Sequence, residues 1–314
     1  MKRSRGGRIA WRLCGALVVI LGVTFLTFLL AYLSPADAAI SWFADRGIYP
    51  SEEELIAKRA ELGVDRPFFE QYLSWMWGLC HGDLGESLRN GAPVADTLME
   101  ALPFTLALTA VSLVMTLVVS IPLGLLCARY RDSAYDQFMR FITYLFNALP
   151  NFFIALLMLY LLCVRLGWFS VIPTYDFKGI FMPSVALALP LSAWYIRQVR
   201  ALALGQINAG YVSGLRARGV SETRILVKHV LRNLAVPLLT LVGISLGSLL
   251  GGAVIVENIF GWPGVGGVSV LAIGHRDYIV IQAYALLMAI VFLIVNALVD
   301  FSYRFIDPRV RKRG

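Results

Sequence analysis

Apolar runs without a single ionisable residue recur six times along the chain. They are Leu13–Leu33, Ala101–Ala128, Phe141–Val164, Gly179–Ile196, Asn233–Val256 and Tyr278–Val299, and none holds Asp, Glu, Lys, Arg or His. A helix rises about 1.5 Å per residue, so roughly 20 apolar residues cross the hydrocarbon core of a bilayer. The runs are 21, 28, 24, 18, 24 and 22 residues long. The shortest is flanked by Lys178 and Arg197, whose side chains can snorkel outward. Only helices and closed barrels satisfy their backbone in lipid, and the ten-residue alternation of a barrel strand is absent. The pattern predicts an all-α integral membrane fold of six transmembrane helices.

A seventh uncharged stretch, Asn258–Gly274, contains Gly261-Trp262-Pro263-Gly264 and Gly266-Gly267. Such residues break helices, so we read it as a turn or short re-entrant element. Proline also marks the spans at positions 103, 122, 150, 183, 190 and 237, each able to bend its helix.

Charge orients the spans. The 314 residues carry a net charge of +8, which by itself would suggest nucleic acid. With the N-terminus inside, the cytoplasmic segments hold 20 Lys/Arg against 5 acids, and the outer segments hold 8 against 15. That bias places both termini in the cytoplasm and makes the basic charge topological. No nucleic-acid partner is expected. The basic start, apolar run and Ala36-Asp37-Ala38 mimic a secretory signal, but 21 apolar residues exceed the usual 7–15, so the first helix is read as uncleaved.

Three regions follow: residues 1–33, the N-terminal tail and first span; 34–100, an extracytoplasmic loop; and 101–314, a five-helix core. The outer loop is long enough for a small folded subdomain. Ser51 before Glu52-Glu53-Glu54 predicts a capped helix start. Phe68, Phe69, Tyr72, Leu73 and Trp75–Trp77 form an aromatic patch, suited either to the outer leaflet or to a partner or substrate. Between spans four and five, residues 200–232 read as helix, break, helix, with Gly219 at a helix C′ position and Ser221 as the next N-cap. Positive flanking explains its charge. It does not explain a folded hairpin where a short loop would join two helices, so a soluble partner is expected to dock there.

Catalytic chemistry is missing from the pattern. His81, His229 and His275 all lie outside the spans. Cys80-His81-x-Asp83-x-x-Glu86 matches no usual zinc spacing, and no metal site is expected. Cys14, Cys127 and Cys163 behave as small hydrophobes in their spans, and Cys80 has no obvious disulfide partner. No P-loop is present, and no ATP or Mg²⁺ is expected on this chain itself. Proton- and sodium-coupled carriers place acids or bases near the midplane, which argues against a secondary transporter. Neutral polar residues such as Asn147, Asn151, Gln282 and Asn296 are read as bonding between helices. A stand-alone channel is the alternative from another class. An intramembrane enzyme would need paired catalytic groups within the spans.

The stretch Tyr211-Val212-Ser213-Gly214-Leu215-Arg216-Ala217-Arg218-Gly219-Val220-Ser221, followed by His229-Val230-Leu231-Arg232-Asn233 and Pro237, resembles the coupling loop of ABC-importer permeases, in the dipeptide/oligopeptide/nickel branch. The general motif reads Glu-Ala-Ala, three residues, Gly. Here Ser213-Gly214-Leu215 replace the first three and Gly219 is kept. Leu62-Gly63-Val64-Asp65-Arg66-Pro67, Gly82-Asp83-Leu84-Gly85-Glu86-Ser87, the run from Glu257 to Gly266, Arg276-Asp277-Tyr278 and Asp307-Pro308-Arg309 extend the resemblance along the chain.

The resemblance implies a non-catalytic permease of a bacterial inner membrane. It would work with a second, similar permease, two ATP-binding cassette subunits that hold ATP and Mg²⁺, an extracytoplasmic solute-binding protein and membrane lipid. Carried onto this chain, it makes residues 211–220 the docking element, with Tyr211, Leu215, Arg216, Arg218, Gly219 and Ser221 in the coupling loop. Tyr211, Leu215 and Arg218 fall near one helix face and are the expected anchors. The motifs favour a nickel chelate as solute over di- or oligopeptides. Spans two to five are expected to line its path, which no single residue identifies.

Overall fold

A computed structural model describes residues 5–34, 37–44 and 46–306. Ala36, the first residues of the N-terminal tail, the Asp307-Pro308 pair and the basic tail from Arg309 to Arg313 lie outside the described residues. The helices are α1 (Arg5–Tyr32), α2 (Ala38–Ala44), α3 (Glu52–Leu62), α4 (Phe68–Cys80), α5 (Val94–Arg129), α6 (Ala134–Ala148) and α7 (Asn151–Met158), which runs on as a π-helical stretch, Leu159–Arg165. Then come α8 (Phe177–Ile207), α9 (Gly210–Ala217), α10 (Glu222–Arg224), a second π-helical stretch (Ile225–Val230), α11 (Leu231–Phe260), α12 (Val265–Gly274) and α13 (Tyr278–Ile306). No strand occurs among the described residues, only an isolated bridge between Glu86 and Pro93.

Five helical stretches are long and apolar enough to cross a membrane: Leu13–Tyr32, Val94–Arg129, Phe177–Ile207, Glu222–Phe260 and Tyr278–Tyr303. The sixth is a pair, α6 and α7, bent by 98°. The run Phe141–Val164 is therefore one broken span or a re-entrant loop, not a continuous helix. Pro150 causes the break. It has no N–H to donate, and its ring drives Leu149 into the extended region at φ −88°, ψ 131°. The other span prolines are absorbed within unbroken helices, Pro183 and Pro190 in α8 and Pro237 in α11. At 36 residues α5 is ~54 Å long, well beyond the hydrocarbon core.

The chain divides into two compact units. One comprises residues up to Phe104 together with Pro263–Ile294. Here α4 lies on α1. Phe68, Tyr72 and Trp75 meet Phe25, Phe28 and Tyr32 at ring-centroid distances of 5.1 to 5.9 Å, and the Thr24 and Tyr72 hydroxyls are 3.1 Å apart. Half of the aromatic patch is thus intramolecular packing. The other face of α4, Phe69, Leu73 and Trp77, stays exposed. Ser51 caps α3 as expected, in a reciprocal box with Glu54. The Ser51 backbone N–H holds the Glu54 carboxyl below its ordinary range.

The Gly-rich stretch after α11, read as a turn or short re-entrant element, is a turn followed by a short helix. Gly261, at φ +63°, does end α11, and the chain breaks at Pro263-Gly264. Gly266 and Gly267, however, lie inside the ten-residue helix α12. Its buried Val265 and Ala272 pack with Val94, Leu98, Ala101 and Ala283, and that packing outweighs the propensity cost of ~1 kcal/mol per Gly.

The other unit comprises Thr105–Trp262 and the residues from Val295. Helix α8 packs against α6, α7 and α11. Asp176 caps α8 by accepting from Lys178 and Gly179, and the Gly179 N–H holds its pKa below the ordinary carboxyl value. Gly124 of α5 lets Val199 of α8 approach so closely that a Cβ would lie 2.6 Å from the valine Cβ. Tyr195 is fully buried and accepts from Ser245 at 3.0 Å.

Candidate functional site

The break-and-hairpin expected between residues 200 and 232 is present. Helix α8 runs on to Ile207 and closes at Asn208. Helix α9 then forms because one side of it can be buried. Val212 is fully buried and Leu215 half-buried against a cluster containing Val199, Ala203, Ile225, Val230 and Leu234. Gly219 ends the helix at φ +74°, where only Gly is unstrained, and its N–H returns to Arg216 O at 2.9 Å. Val220 N–H returns to Leu215 O at 3.1 Å. Ser221 stands at the next N-cap with extended backbone, but its hydroxyl makes no capping bond.

Ionic and polar contacts tie the hairpin together. Arg216 forks onto Glu222, Nε to Oε1 at 2.6 Å and an NH2 to Oε2 at 3.2 Å. The Tyr211 hydroxyl donates to Gln206 at 3.1 Å, and Asn233 reaches the same Gln206 oxygen at 3.3 Å. Arg129 at the end of α5 donates to Thr223 at 3.1 Å. Leu215 is therefore part of the packing that holds α9, rather than an outward anchor. The outward face is Tyr211, Gly214 and Arg218, at i, i+3 and i+7, all exposed. A Cβ on Gly214 would meet nothing. This geometry offers a flat helical face with a small centre, an aromatic at one end and a cation at the other.

Asp136 and Arg200, which in the sequence are only topological charge, form a two-pronged ion pair in this unit. Asp136 is fully buried and receives Arg200 Nε and an NH2, both at 2.7 Å. Asp132 N–H adds a third bond at 3.0 Å. The pair joins α6 to the part of α8 that leads into α9. The one local signal was Ser133 three residues before Asp136, whose hydroxyl accepts from the Asp136 N–H.

Extending α11 to Phe260 also brings Glu257, one residue past the uncharged run, into the helix. Its carboxylate is fully buried and accepts from Thr105 Oγ1 at 2.6 Å. A buried acid therefore does sit at the end of span five.

In the first unit, motifs from distant parts of the chain meet. Ser87 donates to Asp277 at 2.6 Å, and Asp277 also caps the start of α13 through Val280 N–H. Gly85, at φ +81°, lies against Ile279, so close that a Cβ would be 3.0 Å from it. Asp83 and His81 serve local structure. Asp83 accepts from Gly85 N–H at 2.8 Å, and His81 Nδ1 is 2.8 Å from Trp77 O.

Residues 120–312 match the family described as binding-protein-dependent transport system inner membrane component. Residues 8–109 match the model described as Binding-prot-dependent transport system membrane comp, N-term. The chain is a multi-pass inner-membrane component of this family. It is 34% identical to the oligopeptide transport system permease protein AppB of Bacillus subtilis (strain 168), over 93% of this chain and 95% of that one. It is 31% identical to the dipeptide transport system permease protein DppB of Escherichia coli (strain K12), again over 93% and 95%. Its fold resembles a chain of the inward-facing MetNI methionine ABC transporter, with TM-score 0.59 and 22% identity, over 68% of this chain and 98% of that one.

Proposed function

We propose that this chain forms the translocation path for di- or oligopeptides in an ABC importer and transmits ATP-driven motion through α9. The observation behind this reading is the hairpin around α9. Buried Val212, half-buried Leu215 and the Arg216–Glu222 fork hold it in place, while Tyr211, Gly214 and Arg218 remain exposed. A rigid, exposed helical face with few large side chains fits a groove on a soluble subunit. The sequence contains no P-loop of its own, and in this reading ATP and Mg²⁺ are held by two separate ATPase subunits. A second, similar permease completes the path, and an extracytoplasmic binding protein delivers the solute. Both termini, and the hairpin, face the cytoplasm.

Peptide is the preferred solute because AppB and DppB are named as oligopeptide and dipeptide permeases. That replaces the nickel chelate favoured by motif impression. The test is uptake into proteoliposomes holding this chain, its partner permease, the ATPase subunits and the binding protein. ATP-dependent accumulation of labelled di- to pentapeptides is expected. Accumulation of a nickel chelate with no peptide uptake would overturn the solute, and solute flux through this chain alone without ATP would favour a stand-alone channel.

A further inference from the structure

A cavity of about 670 Å³ lies wholly within the first unit, within the size range of small-ligand sites. Its inner wall is apolar, built by Phe28 and Ala31 of α1, Leu62 of α3 and Trp75 of α4. Polar groups collect on the rest of the lining, and three of them are unused. Gln282 of α13 is only 6% exposed, yet its amide makes no hydrogen bond among the described residues, contrary to the interhelical bond expected from sequence. Trp75 Nε1 is buried without a partner. The Arg66 guanidinium, folded back toward Gly63, makes no ion pair or hydrogen bond among the described residues. An unpaired buried donor costs roughly 1–3 kcal/mol, so the Trp75 N–H, beside the exposed, unpaired Arg66 and the unbonded Gln282 amide, points to a ligand that accepts from them.

The charge balance selects its chemistry. Arg59 and Arg66 face the cavity, and the lining's one carboxylate, Asp37, already holds Arg59 at 2.6 Å. One cation is left over, beside two neutral donors. A peptide would bring an ammonium as well as a carboxylate, and no free acid awaits it. The position selects further. The apolar wall includes Phe28 and Ala31 of α1, whose membrane window is only 11% buried within this chain, and the lining holds Tyr32 and Tyr278, at the ends of the apolar runs of α1 and α13. A bilayer around these spans would place the cavity at the depth of the headgroups.

We propose that this cavity binds one anionic phospholipid. Its phosphodiester accepts from Arg66, Gln282 and Trp75 Nε1, and its first acyl carbons lie against Phe28 and Leu62. Phosphatidylcholine has the same phosphodiester but adds a quaternary ammonium, which meets Arg66 and no free acid because Asp37 already holds Arg59, so the site discriminates by net headgroup charge. The test is native mass spectrometry of the full purified chain supplied with equal phosphatidylglycerol and phosphatidylcholine of identical acyl chains. We expect phosphatidylglycerol to be retained about tenfold over phosphatidylcholine, the ratio given by ~1.4 kcal/mol. Arg66→Gln, an exposed position that leaves the packing intact, should bring the ratio to about one, and Gln282→Leu should lower it. Trp77→Ala, on the opposite face of α4, should leave it unchanged. Equal retention of both lipids by the native chain would overturn the proposal. So would an undiminished ratio in both Arg66→Gln and Gln282→Leu, or displacement of bound phosphatidylglycerol by trialanine, which would make the cavity a peptide site.

Discussion

Ser87 and Asp277 lie 190 positions apart, yet the serine hydroxyl donates to the carboxylate at 2.6 Å. Both are buried. The bond holds the loop before α5 onto the start of α13, beside the close contact of Gly85 with Ile279. A hydrogen bond to a charged acceptor is worth about 1.5–3 kcal/mol. Ser87→Ala should lower stability by an amount of that order and speed proteolysis of residues 81–93, whereas the same change at exposed Ser51 should leave that segment resistant. A double-mutant cycle with Asp277→Asn checks it: the two effects should be strongly non-additive.

The Asp136–Arg200 pair should behave as a buried bridge. Removing Arg200 takes the two shortest bonds from a buried carboxylate and leaves it only Arg140 at 3.7 Å and the Asp132 N–H at 3.0 Å, so the cost should approach the ~3–5 kcal/mol of a broken buried pair. Arg200→Met alone should therefore melt well below the native protein. Adding Asp136→Leu should recover much of the loss, because two apolar side chains need no partners. No recovery in the double variant would mean that the pair sets the geometry of α6 and α8 rather than only neutralising charge.

Much of this architecture was legible in the chain, for a local reason. Uncharged runs announce membrane helices because lipid tolerates no free backbone, and five of the six appear as long helices. The caps at Ser51 and Gly219 were equally legible, since each depends on its own few residues. What escaped was non-local or a contest between two local terms. Ser87 with Asp277, and Asp136 with Arg200, meet only after folding. At Pro150 the sequence marked a possible kink but not its size. At Gly266-Gly267 burial of Val265 and Ala272 overrode weak helix propensity. Leu215 was misassigned outward because helical spacing groups residues by face without saying which face meets the core.

Gly124 is a spacing device. Gly124→Ala would set a Cβ 2.6 Å from the Val199 Cβ and 2.9 Å from Ile196 O, so α5 and α8 must shift. Overpacking of this kind costs typically ~1–3 kcal/mol. Val199→Ala in the same chain should restore part of the loss in melting temperature, and only part, because the Ile196 carbonyl remains.

Topology follows from the Lys/Arg bias. On a background with exposed Cys14 and Cys80 replaced, single cysteines at Asp65 and at Arg218 should react with an impermeant maleimide from opposite sides, Asp65 from outside. Reaction of both from one side would contradict the proposed orientation.

The central claim is that the outward face of α9 docks the ATPase. Gly214→Leu tests it most directly, because that position faces open space and leucine is a better helix former than glycine. The chain itself should fold, insert and melt as before. In the complex the added side chain should block docking. The measurement is solute-stimulated ATP hydrolysis in proteoliposomes, with ATPase co-purification followed alongside. We predict that Gly214→Leu and Arg218→Glu both lose stimulated hydrolysis and release the ATPase, while Lys58→Glu on the outer loop does neither. Native stimulation and full ATPase retention in both α9 variants would contradict the account.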